Sequence, residues 1–132
     1  MKIAMPATVK IDKQTGIITI TITGEMDLLH TIKTCVEEML QTPDFHPGAN
    51  ALWDLRQAAR QNLPTNDILS LVSYIKSHQQ ERGAGYKVAI VAEHDLLFGG
   101  ARMFEAFADT VPFNCRVFRD IEEAERWITG KQ

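Results

Sequence analysis

Three features of the sequence predict an α/β fold, with a mixed, mostly parallel five-stranded sheet covered by helices. Apolar residues alternate in some segments and recur at helical spacing in others. A short polar turn joins the first two strand-like segments, and helical segments separate the following ones. Strands joined by a turn pair antiparallel, whereas strands joined through a helix run parallel by right-handed crossovers. The expected order is therefore β-β-α-β-α-β-α-β-α, a hairpin followed by three strand–helix units.

The hairpin is read in "TVKIDKQTGIITITITG". Val9 and Ile11 begin a strand, "DKQTG" supplies the turn, and Ile18, Ile20 and Ile22 alternate with Thr19, Thr21 and Thr23. The isoleucine face should be buried, and the threonine face should meet water or a thin cover. In "MDLLHTIKTCVEEMLQTP" the period lengthens: Leu28, Ile32, Cys35, Val36, Met39 and Leu40 share one helical face, with Asp27 as N-cap and Pro43 as the stop. "DFHPGAN" is loop, "ALWDL" a short buried strand, and "RQAARQN" polar chain.

"LPTNDILSLVSYIKSHQQERG" reads as one helix capped by Thr65 and ended by Gly83, with Ile68, Leu71, Val72 and Ile75 as its apolar stripe. "YKVAIVA" is a strand buried on both faces, because its apolar run does not alternate. Asp95 is read as the cap of the next helix, in which Met103, Phe104, Phe107 and Val111 fall at helical spacing as core residues. "NCRVFR" is the last strand. "DIEEAERWITG" is the last helix, with Asp120 and Glu123 at capping-box spacing and Gly130 as its stop.

A chain of 132 residues with 45% hydrophobic content has the size and composition of one domain. The 14 basic and 17 acidic residues leave a charge of −3, and no basic run forms a phosphate-tracking stripe, so no nucleic-acid partner is expected. "MKIAMPATVK" lacks the apolar core of a signal peptide, and no window reaches the roughly 20 apolar residues of a membrane span. A cytoplasmic protein without an integral membrane segment is the expectation. Cys35 and Cys115 lack CxxC spacing, and His30, His46, His78 and His94 lack HxxxH spacing, so neither metal nor cofactor is expected.

"ALWDLR", the run Gly99 to Phe104 (Gly-x-Ala-Arg-Met-Phe) and the terminal "FRDIEEAERWI" resemble the STAS superfamily. The likeness is to its anti-sigma-factor-antagonist-like, or STAS/Sec14-like, branch, and it covers about Ile11 to Ile128. The resemblance implies a small α/β regulatory or interaction module without catalytic residues, engaging a protein partner or itself as a homodimer. Its regulatory members carry a phosphorylatable serine in an Asp-Ser-Ser-Gly-like turn. This chain has "DLRQAARQNLPTND" there, leaving Thr65 as the candidate phosphoacceptor.

In open α/β sheets ligands gather beyond the carboxyl ends of the strands, which directs attention to Asp54, Arg56, His94, Phe98, Gly99, Gly100 and Arg102. Arg56 and Arg102 can hold a carboxylate or phosphate through paired donors. Equally, Arg56 can pair with Asp54, Glu93 or Asp95, and Arg102 can lie along a helix surface. Asp54 caps a turn, pairs with Arg56, or sits buried with a shifted pKa. His94 is read as an exposed loop residue. The two glycines lack the spacing of GxGxxG and the lysine of GxxxxGK[ST], and so indicate close packing rather than a phosphate cradle. Phe98 is a core residue by spacing or lines an apolar pocket, or Leu97 and Phe98 together form an exposed dimer contact. Three functions follow: a partner-binding or self-associating module, a Sec14-like binding module for a small amphipathic anion at this edge, or an enzyme using Asp54 and His94.

Overall fold

The computed structural model describes residues 6–130; residues 1–5, the start of the segment read for a leader, and residues 131–132 lie outside it. Strand β1 (Ala7–Ile11) pairs antiparallel with β2 (Ile18–Gly24), and β2 then pairs in parallel with β3 (Ala51–Ala58). Two further parallel ladders add β4 (Lys87–Val91) and β5 (Asn114–Phe118). The sheet order is β1-β2-β3-β4-β5, the mixed five-stranded sheet expected.

Helix α1 (Leu28–Gln41) connects β2 to β3. Helices α2 (Thr65–Ser77) and α3 (Gln79–Arg82) lie between β3 and β4, α4 (Asp95–Phe107) joins β4 to β5, and α5 (Ile121–Thr129) ends the chain. Every parallel crossover steps in the same direction along the sheet. Right-handed crossovers that step one way place their helices on one face. So α1, α2 and α4 form a layer over one face, while α5, which is no crossover, packs on the other against β3, β4 and β5.

Strand β2 shows how alternation builds this. Ile18, Ile20 and Ile22 are fully buried under the three-helix layer, and Thr19, Thr21 and Thr23 remain half-buried on the opposite face. In β4, Val88 and Ile90 belong to the larger core and Ala89 and Val91 to the smaller one beneath α5, so an unbroken apolar run is needed. Among the described residues no helix is long and apolar enough to cross a membrane.

Local details differ from expectation where tertiary contacts intervene. The helix expected from Thr65 to Gly83 breaks at His78, whose ring Nδ1 lies 3.0 Å from the Tyr74 carbonyl oxygen. Pro64 takes the cap position of α2 and Thr65 is its first helical residue, with its hydroxyl 3.7 Å from the Met103 sulfur instead of capping. His94 likewise takes the cap position of α4, because Asp95 turns away to pair with Arg119 at 2.9 Å. At α5 the Asp120 carboxylate accepts from the Glu122 N–H, not from residue 123. Strand β3 continues past "ALWDL" to Ala58, still paired with β2 beyond a bulge. Asp27 caps α1 as expected, accepting from the His30 N–H.

Candidate functional site

Alternation along β3 decides what its residues can do. Ala51, Trp53 and Leu55 belong to the core under the three helices, which directs Leu52, Asp54 and Arg56 to the α5 side. There Arg56 Nε donates to Asp54 Oδ1 at 2.9 Å and Nη2 to Oδ2 at 2.8 Å, and the Arg56 backbone N–H adds a third bond at 3.1 Å. Burial pushes the Asp54 pKa up, but these bonds and the adjacent positive charge outweigh it and hold the carboxyl below its usual range. The Asp54 contact in turn raises the Arg56 pKa. The pair is bidentate, and the Arg56 side chain remains one-third exposed.

The other edge residues are similarly engaged. Arg102 lies on the exposed side of α4 and pairs with Glu105, one turn on. Phe98 sits beneath the Arg119 guanidinium, 4.0 Å from its ring centre, and Arg119 also donates to the Glu93 carbonyl at 2.9 Å. Because strand order never reverses, the sheet has no switch point at which flanking helices diverge into a crevice.

Gly99 and Gly100 lie inside α4, not in a loop. A Cβ on Gly100 would come 3.3 Å from Leu63 Cβ, so this glycine permits close approach of the segment before α2. Gly99 is exposed, and a Cβ there would meet nothing within 4 Å. Gly99→Ala should therefore raise stability by about 0.5–1 kcal/mol, through helix propensity alone. Thermal or urea unfolding of the variant checks this; a loss of stability would show that the bare Gly99 surface is covered by something else.

The buried stripe of α4 is Leu97, Ala101, Phe104 and, one turn on, Ala108, whereas Leu96, Met103 and Phe107 are exposed. The core role expected for Met103 and Phe107 is thus taken by their neighbours one helical position away. Leu97, considered as a dimer contact, is core.

Between the sheet and the α1/α2/α4 layer lies a cavity of about 100 Å³. Its wall is apolar almost throughout, with Met39, Leu71, Ile90, Leu97 and Phe104 among the contributors. Gly100 belongs to the wall, which is where one of the expected site residues meets it. The charged exception is Arg82, only 5% exposed.

The local sequence places Arg82 there. It ends α3, and the next residue, Gly83, has φ +92° and lies against Pro47 and Gly48. The Gly48 N–H donates to the Arg82 carbonyl at 2.8 Å, tying this turn to the loop before β3. The guanidinium stacks on Tyr86, 3.7 Å from the ring centre, with Phe45 at 5.7 Å, and Nη2 donates to the Ala49 carbonyl at 2.6 Å. Tyr86 is itself stacked on Phe113. Nη1 is buried without a hydrogen-bond partner. Burial lowers the Arg82 pKa and the neighbouring Tyr86 opposes this, yet a guanidinium remains charged at neutral pH.

Arg82 was not singled out from the sequence, although a signal existed. The stripe Ile68, Leu71, Val72, Ile75 continues at helical spacing to His78 and Arg82, and His78 also lines the cavity. Burial pushes the Cys35 thiol up to about 11 and the Cys115 thiol up to about 12, so neither is an activated nucleophile.

No family model matches the chain, and no curated protein matches it. Among solved structures, it is similar to an uncharacterized protein of the DUF3478 family with a SpoIIAA-like fold from Shewanella loihica PV-4. The TM-score is 0.59 at 16% identity, over 97% of this chain and 98% of the other. The fold is thus SpoIIAA-like, which agrees with the STAS-like resemblance of the sequence.

Proposed function

We propose that this chain is a non-catalytic, STAS-like binding module that holds a small amphipathic molecule in a partly open pocket between its sheet and the α1/α2/α4 layer. The observation that carries this reading is the apolar cavity of about 100 Å³. An apolar wall with one convergent charged group is the usual composition of a small-molecule site. This reading sets the ligand inward of the strand edge, where Asp54, Arg56, Phe98 and Arg102 already have protein partners.

Native mass spectrometry of protein purified from cells tests this. A small bound mass should accompany the wild type, vanish on denaturation, and be absent from Ala101→Leu, whose longer side chain enters the cavity. A wild type that carries no such mass and gives no amide shifts with 1-propanol would remove the reading.

A second reading, self-association, is favoured by the exposed stripe Leu96, Met103 and Phe107 on α4, which lie at helical spacing on one face. The same spectra report it: a dimer lost in Met103→Glu supports a contact through α4, and a monomer at every concentration dismisses it.

A further inference from the structure

We infer that the molecule held is a small monocarboxylic acid and that Arg82 anchors its carboxylate; this rests on the cavity being a binding site. Arg82 is 5% exposed and lines the cavity, and its Nη1 has no partner. Among the described residues no carboxylate forms an ion pair with it. A charged guanidinium taken out of water requires an opposite charge or hydrogen bonds on all its donors. Here Nη2 has the Ala49 carbonyl and the cation has the faces of Tyr86 and Phe45. Ring faces attract a cation but accept no in-plane hydrogen bond, so Nη1 still needs an acceptor. A carboxylate supplies both the charge and that acceptor.

The rest of the lining fits the other end of such a molecule. It runs from Arg82 and Tyr86, ahead of β4, to Leu97 and Gly100, after it, and its side chains along the way are apolar apart from His78, which lies near the Arg82 end in sequence. About 100 Å³ is two-thirds of the roughly 150 Å³ cavity that takes up benzene, so it accommodates about four to five non-hydrogen atoms. That is the size of a two- or three-carbon acid, by the same order-of-magnitude reasoning. A two-chain lipid is too large.

The test compares propionate with 1-propanol, alike in chain length but not in charge, by amide chemical-shift titration of the full chain. Propionate should bind wild type about tenfold or more tightly, a ratio set by a charged hydrogen bond. Folded Arg82→Met should lose that preference while keeping its propanol affinity, and Arg82→Lys should retain part of it. Equal affinities in wild type, or an unchanged propionate preference in folded Arg82→Met, would overturn the anchor while leaving the cavity reading intact. Binding of neither probe would overturn both. If Arg82→Met does not fold, the wild-type ratio and Arg82→Lys decide.

Discussion

Gly83→Ala is expected to destabilise the protein by about 2–6 kcal/mol, combining backbone strain with overpacking. Its φ of +92° lies where side chains are rarely tolerated, and its Cβ would stand 2.5 Å from the Gly48 nitrogen and 3.0 Å from the Pro47 carbonyl carbon. These are backbone atoms that cannot rotate away. The nearby Gly85 separates the two causes, since its φ is also positive at +74° but its Cβ would meet nothing within 4 Å. Gly85→Ala should cost only about 1 kcal/mol, the strain alone. Urea midpoints measure both, and equal losses would mean that the Gly83–Gly48 approach is not a tight constraint. Since the Gly48 N–H holds the Arg82 carbonyl, Gly83→Ala should also perturb the amide signals of the Arg82 turn.

Ile20→Ala should cost about 2–5 kcal/mol, because the residue is fully buried between the sheet and the helical layer and its removal leaves a hole. Thr21→Ala, on the opposite and half-covered face, should cost less than about 1 kcal/mol. Denaturant midpoints at an unchanged slope decide it. Comparable losses at the two positions would mean that the threonine face is buried as deeply as the isoleucine face.

The hairpin, the strands and most helices were legible because their causes are local. Alternating isoleucines and threonines specify a half-buried strand wherever it sits, and Asp27 followed by Leu28, Ile32 and Val36 specifies a capped amphipathic helix. The placement of α4 was harder to read. Two glycines disfavour helix by about 1 kcal/mol each, and the surrounding apolar residues fit two adjacent faces, so only packing selects Leu97, Ala101 and Phe104 over Met103 and Phe107.

The candidate site divides along the same line. Read from the sequence, the strand ends at Leu55 and Arg56 falls in polar chain; the extension of β3 to Ala58 puts Asp54 and Arg56 on one face, and the bidentate geometry selects pairing from the several readings open to them. Of the residues expected at the strand edge, Gly100 reaches the cavity wall.

By itself, then, the chain determined its elements, their order and the parallel crossovers, because periodicity and handedness act over short stretches. The assembly of the site was decided by tertiary structure. Which face receives three helices, how much space they leave, and whether a helix-ending arginine finds partners for all its donors depend on residues far apart in sequence. Arg82 meets Phe45, Ala49 and Tyr86 only after the sheet has formed and Gly83 has closed against Gly48.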